Sequence, residues 1–292
     1  MAQFLISGFA DEVSPDLQKQ IEALKRNGIG YLEPRNIDGG IIKKTDEELY
    51  AIRARLDEAG IGISSLGSPI GKYPITEDFA PHMEDFKRAI RACKILGTNR
   101  MRVFSFFVKQ DELALHRDEV NRRMSLLLDE AEREGILLCH ENESKIYGQN
   151  PEEVADLLKN HPRLKGIFDA ANFVRDGQDA LAGIEATLPS LEYVHVKDAT
   201  YPDRKIWPAG MGQGHYEEVF RMVDEAYDGT VFLTLEPHLY VFDAYKSIDS
   251  HKLKVGVLYE SPDAAFDGAA DHLKNLLKKL GYHEEENKLW KK

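Results

Sequence analysis

Short apolar runs recur along the whole chain, at 4–9, 29–32, 61–66, 101–104, 136–139, 166–168, 193–196 and 231–235. Between them lie stretches of helical period near 14–27, 45–59, 79–96, 111–134, 151–160, 177–188, 215–227 and 262–280. In the first of these, Leu17, Ile21 and Leu24 recur at spacings of four and three, an apolar stripe among polar neighbours. Gly28, Gly60, Gly97 and Gly135 each follow a helical stretch and precede an apolar run, where a left-handed cap residue is expected. Ser14-Pro15, Asn150-Pro151 and Ser261-Pro262 set a capping side chain before a proline at a helix start. Strict alternation of strand and helix implies a parallel sheet. Eight repeats predict closure into a (β/α)8 TIM barrel, and no glycine-rich dinucleotide fingerprint follows the first run.

The expected organisation is one barrel domain over 1–282 with a charged tail over 283–292, frayed unless Leu289 and Trp290 dock on a neighbour. Two segments, 67–78 and 240–260, are longer than a connection needs. Both leave C-terminal strand ends, the face on which barrel enzymes build their sites, and both read as lids or substrate walls.

The chain has 292 residues, 42% hydrophobic and 30% charged, an ordinary globular balance. A net charge of -12 argues against a protein that grips phosphate backbones, so no nucleic-acid partner is expected. Cys93 and Cys139 form no CxxC pair or disulfide framework and read as buried apolar residues. With no signal-peptide pattern and no run of ~18 apolar residues, no membrane partner is expected and the cytoplasm is the expected location.

The chemistry lies at strand ends. Strand five closes in His140-Glu141, strand six in Phe168-Asp169 and strand eight in Leu235-Glu236, while strand seven carries His195 and Lys197. Alone, each acid could cap the next helix or pair with a base, and His195 could be a hydrogen-bonded core residue. Together, four consecutive strands deliver three carboxylates and one imidazole to one rim. That donor set suits a single divalent ion, Mn, Mg, Co or Zn. Lys197 shares a face with His195 by alternation and would contact a substrate oxygen or balance nearby acids. Arg35 and Arg102 would clamp a substrate group or neutralise Glu33 and the ligand carboxylates. Glu143 reads as a solvated loop residue, His238 is open, and Trp207, Phe104 and Phe107 are candidates to stack on a sugar.

The segments HENES, FDAANF, HVKDA and TLEPH, with the glycine turn at 210–216 and Gly8-Phe9-Ala10-Asp11-Glu12, Leu32-Glu33-Pro34-Arg35 and Arg102-Val103-Phe104-Ser105, resemble the xylose isomerase-like barrel superfamily. The resemblance is to its sugar epimerase, hydroxypyruvate isomerase and inosose dehydratase branches. It implies a metal held by Glu141, Asp169, His195 and Glu236, with Glu141 and Glu236 also acting as acid and base. It further implies an enediolate route on a keto sugar or related polyol, and a homo-oligomer. Substrate contacts would come from Asn172, Lys197, Arg102, Trp207 and His238. One departure stands out: many relatives carry His three residues after the strand-six Asp, where this chain has Asn172. An amide can donate a hydrogen bond but cannot shuttle protons near neutrality. A dehydratase of the inosose type, an endonuclease IV-like enzyme and a non-catalytic sugar-binding relative are the competing expectations. The nuclease class binds three metals with further histidines, and none stands at strand ends two to four.

Overall fold

The computed structural model of the protein describes residues 1–240 and 254–292. Eight parallel strands form the barrel: β1 (Ala2–Gly8), β2 (Tyr31–Leu32), β3 (Gly62–Ile63), β4 (Arg100–Val103), β5 (Leu137–Glu141), β6 (Lys165–Asp169), β7 (Leu191–Val196) and, after a short hairpin, β10 (Gly229–Leu235). Hydrogen-bonded neighbours run β3-β2-β1-β10-β7-β6-β5-β4. The seam closes through Leu66, whose N–H donates to the Arg100 carbonyl at 2.9 Å and whose carbonyl accepts from Arg102 N–H at 3.0 Å. A sheet closed on itself leaves no edge to protect.

Nine α-helices are among the described residues, most of them where the sequence signals place them. They are α1 (Leu17–Arg26), α2 (Asp46–Ala59), α3 (Ala80–Leu96), α4 (Leu113–Glu134), α5 (Pro151–Asn160), α6 (Ala170–Arg175), α7 (Ala180–Thr187), α8 (Tyr216–Ala226) and α9 (Pro262–Lys279). Gly60, Gly97 and Gly135 are left-handed caps with φ of 69°, 79° and 71°. Asn150 makes a full capping box with Glu153. Ser14 is a correction. The cap of α1 is Asp16, which accepts from Lys19 N–H, while Ser14 Oγ accepts from Asp16 N–H one turn earlier.

Side-chain alternation separates two apolar compartments. Leu138, Phe168, Val194, Leu233 and Leu235 face outward and join the large core under the helices. Cys139, Ile167 and Tyr193, flanked by Leu137 and Phe232, fill the lumen. Two residues further along each strand, the same inward face presents Glu141, Asp169 and His195. The site is therefore the top layer of the barrel interior, standing on a lumen packed with side chains.

Three parts of the chain depart from the expected pattern. α6 starts directly after Asp169, whose side chain caps it by accepting from Asn172 N–H at 3.0 Å. After β7, β8 (Asp198–Ala199) and β9 (Ile206–Trp207) pair antiparallel. The tail folds as β11 (His283–Glu284) and β12 (Leu289–Lys291), and β12 pairs antiparallel with β1 at Phe4 and Leu5. Trp290 is fully buried there. Of the two outcomes expected for the tail, docking through Leu289 and Trp290 is the one seen, the buried indole outweighing the polar neighbours.

The long connection expected at 240–260 falls mostly on 241–253, outside the described residues. Its end, 254–256, is tied to the hairpin: Ile206 N–H donates to the Lys254 carbonyl and Gly256 N–H to the Ile206 carbonyl, both at 2.8 Å. The other long segment, 67–78, runs beside the chain that leaves β4, with Phe104 N–H donating to the Ile70 carbonyl at 2.7 Å and Ile75 N–H to the Phe107 carbonyl at 3.1 Å. Gly71, at φ +90°, lies so close to strand four that a Cβ would sit 1.9 Å from the Phe104 carbonyl oxygen.

Candidate metal centre

Glu141, Asp169, His195 and Glu236 are all buried, and one ligand atom from each lies within 4.8 Å of the others. Parallel register brings them together: Asp169 pairs with His195 across β6 and β7, and His195 with Thr234 across β7 and β10. His195 Nδ1 stands 3.1 Å from Glu141 Oε1 and 3.6 Å from Glu236 Oε2. Neither His195 nitrogen nor Asp169 Oδ2 makes a hydrogen bond of good geometry. Buried polar atoms are ordinarily satisfied. An imidazole without a well-formed hydrogen bond, set among three converging carboxylates, is a composition that fits a divalent cation.

Two buried cations, Lys197 and Arg102, and the half-buried Arg35 surround this set. Lys197 Nζ lies 2.7 Å from Glu236 Oε2 and 2.8 Å from Asp169 Oδ2. Arg102 Nη1 is 3.1 Å from Glu141 Oε2, and Arg35 Nη1 is 2.9 Å from Glu236 Oε1. Burial works against ionising Glu141, but His195 and Arg102 outweigh it and hold the carboxyl at about 2. Burial opposes charge on Glu236 too, and Lys197 with the neighbouring bases still keeps it well below the usual range. At Asp169 burial prevails over Lys197 and lifts the group to about 7. His195 resists burial because Glu141 and Glu33 favour its charged form, which raises it to about 10. Burial likewise opposes the Lys197 charge, and Asp169 and Glu236 more than compensate, raising its pKa.

The remaining expected residues fall in different places. Asn172 donates from Nδ2 to Glu141 Oε1 at 3.3 Å and to the Asn142 carbonyl at 2.9 Å, so it braces a candidate ligand. His238, in a left-handed conformation (φ 48°), has Nε2 3.6 Å from Glu236 Oε1 and 3.5 Å from Glu12 Oε1. Trp207 is half-buried in the hairpin. Its Nε1 donates to Thr200 Oγ1 at 3.1 Å, and Gly256 lies against the indole so closely that a Cβ would be 2.1 Å from it. Phe104 is fully buried, with the Lys72 ammonium 4.4 Å and the Arg102 guanidinium 5.1 Å from its ring centre. That ring faces cations. Phe107 is exposed and bridges to Pro74 and Ile146. Glu143 pairs with Lys72 at 3.0 Å, so it is no solvated loop acid.

As expected, Arg35 neutralises a candidate ligand carboxylate, that of Glu236, but forms no ion pair with Glu33 among the described residues. It pairs with Asp11 at 2.9 Å, Glu12 at 3.6 Å and Glu236. Glu33 instead receives the Tyr193 hydroxyl at 2.9 Å and faces His195. Asp198 had no assigned role, and its carboxylate accepts from the N–H groups of Ala199, Gly210, Gly212 and Gly214 at 2.8–3.0 Å. A Cβ at Gly212 would stand 2.4 Å from Asp198 Oδ1, so glycine is required for that approach. Three glycines at alternate positions, Gly210, Gly212 and Gly214, downstream of a strand-end Asp were the available signal.

A sequence profile described as "Xylose isomerase-like TIM barrel" matches residues 21–280. No curated protein sequence matches the chain. Among solved structures, the chain is similar to a D-psicose 3-epimerase crystallised in the presence of D-fructose, with TM-score 0.70 and 18% identity, covering 95% of this chain and 99% of that one. It is also similar to the probable 3-DHS dehydratase AsbF of Bacillus anthracis, with TM-score 0.67, 14% identity and coverage of 94% and 99%. A Mycobacterium smegmatis xylose isomerase-like barrel protein in complex with magnesium gives TM-score 0.64, 15% identity and coverage of 94% and 97%.

Proposed function

The chain belongs to the xylose isomerase-like TIM barrel family, and we propose that it is a divalent-metal-dependent isomerase or epimerase of a keto sugar or related polyol. The observation that carries this reading is the convergence of Glu141, Asp169, His195 and Glu236 at the C-terminal ends of adjacent strands. These four would hold the ion. When bound, a divalent cation polarises a carbonyl oxygen and stabilises negative charge on it.

The protein's own groups supply the rest. Glu141 and Glu236 are held in the ionised form, so each has a carboxylate ready to accept the proton beside the carbonyl. Placed on two sides of a bound sugar, one takes the proton and the other, once protonated, returns one to the opposite face. Lys197 and Arg102 bring fixed positive charge to the site, where an enediolate oxygen would develop negative charge. Asn172 keeps Glu141 oriented without carrying a proton. A small polyol is the partner that fits a buried site lined by so many hydrogen-bonding groups. Among the described residues no helix is long and apolar enough to cross a membrane.

A lyase shares the first step. Its specific support is the Lys197 ammonium, a buried cation within the ligand set that would stabilise the negative charge of a departing hydroxide. Incubation of the Mn2+-loaded protein with keto sugars and inososes in deuterated water tests both. Deuterium next to the carbonyl with all oxygens retained, abolished by a chelator, is the expected result. Loss of water would select the lyase, and exchange unaffected by chelation would refute the metal-dependent reading.

A further inference from the structure

Glu33 lies at the end of β2, fully buried, far in sequence from any candidate ligand. A buried carboxylate is costly without a partner. Its obvious basic neighbour in sequence, Arg35, is engaged with Asp11, Glu12 and Glu236. What faces Glu33 is the other edge of the His195 ring, with Nε2 3.4 Å from Glu33 Oε2. Glu33 Oε2 has no hydrogen-bond partner of good geometry, and neither has His195 Nε2. The opposite carboxylate oxygen is fixed, because Tyr193 Oη donates to Glu33 Oε1 at 2.9 Å. Tyr193 Oη also lies 3.1 Å from Ser65 Oγ. The imidazole is confined by rings on two sides. Phe9 meets it edge-on at 5.1 Å, and Tyr193, one layer deeper on β7, lies at 5.4 Å.

We propose that Glu33 is a positioning residue for the metal centre. It accepts the Nε2 proton of His195 and so leaves the Nδ1 lone pair directed at Glu141, Asp169 and Glu236. Two geometric facts support the assignment. Nδ1 is the nitrogen on the side of the candidate ligands, at 3.1 Å from Glu141 Oε1. Glu33 is the carboxylate nearest the other nitrogen, held from below by a tyrosine that is itself buried. A carboxylate behind a ligating imidazole fixes its tautomer and raises its basicity, and loss of such a partner typically costs 10–100-fold in metal affinity. Tyr193 serves the same end one step removed, orienting Glu33 rather than His195.

This inference rests on the metal reading above, and the experiment separates the two. Mn2+ binding to the full chain is measured by calorimetry for wild type, Glu33→Gln and Glu33→Leu. Proton-detected 15N spectra of histidine-labelled protein loaded with Zn2+ report which His195 nitrogen carries hydrogen. The expected result is about 10–100-fold weaker Mn2+ binding in both variants. In the wild type the spectra should show a protected Nε2–H and no Nδ1–H, and the Nε2–H protection should disappear in Glu33→Leu. Wild-type affinity in both folded variants, or hydrogen on Nδ1 in the Zn2+-loaded wild type, overturns the role of Glu33 alone. Failure of the wild type to bind Mn2+ overturns both readings. Should the Glu33 variants not fold, Tyr193→Phe keeps the carboxylate and removes its donor. A smaller loss of affinity is then expected, and an unchanged one overturns the proposal.

Discussion

Replacing Lys197 by methionine separates two jobs that one side chain performs. In the metal-free protein its ammonium compensates Asp169 and Glu236 at 2.8 and 2.7 Å, and it is almost wholly buried. Taking one partner from a buried ionic cluster costs about 3–5 kcal/mol, because the charges left behind have no water. With ~2 °C per kcal/mol for a chain of this size, the metal-free variant should melt about 6–10 °C lower. A divalent ion in the same site would be repelled by Lys197, so its removal should also tighten metal binding. If binding tightens tenfold, ~1.4 kcal/mol, the stabilisation at a metal concentration of 100 times the wild-type Kd rises from about 2.7 to about 4.1 kcal/mol. Scanning calorimetry of both proteins, with chelator and with Mn2+, reads the two effects together. A lower melting temperature without metal and a larger metal-induced rise in the variant are expected. If Mn2+ stabilises Lys197→Met less than wild type, Lys197 supports the ion rather than competing with it, and the electrostatic reasoning fails.

Acid should weaken the loop at the barrel mouth through His82. Burial lowers His82 to about 4, and its Nε2 accepts Gly71 N–H at 3.0 Å, which demands the neutral ring. The unfolded chain binds this proton near 6.5, so stability is lost as pH falls from about 6.5 to about 4, by about 3 kcal/mol in total. Urea unfolding at several pH values should show this slope, and a His82→Gln variant with an undiminished slope would refute it. Asp198→Asn turns an amide toward glycine N–H groups that now meet a carboxylate oxygen. With about 1–3 kcal/mol for each buried donor left unpaired, a loss of several kcal/mol is expected. Hydrogen exchange should localise the loss to Gly210, Gly212 and Gly214, and uniform loss of protection across the barrel would contradict the assignment.

The barrel was legible because its signals are local. Period-two and period-3.6 patterns, Gly60, Gly97 and Gly135 as stops, and Asn150-Pro151 as a start each depend on neighbours a few residues away. The candidate ligands were legible for a related reason: a carboxylate at a buried strand end needs a cation, and register does the rest. What escaped depended on distance in the chain. The partner of Glu33 is Tyr193, a pairing across the lumen that no spacing in the sequence announces. The burial of Phe104 beneath Lys72 depends on how 67–78 folds back, and the place where Trp290 docks, opposite Phe4 on β1, on how the tail returns. Both are tertiary outcomes without a periodic trace.

The hairpin of β8 and β9 ties several parts of the mouth to one carboxylate. Asp198 holds its base and the glycine turn, Trp207, paired with Asp198 across the hairpin, lies under Gly256, and Ile206 exchanges hydrogen bonds with 254–256. An engineer who wished to retune this protein by grafting the segment after β10 from a relative would sever those ties unless the hairpin travelled with it. The two loops form a single exchangeable module, and chimaeras should be cut at Val196 and again beyond Gly256, never between them.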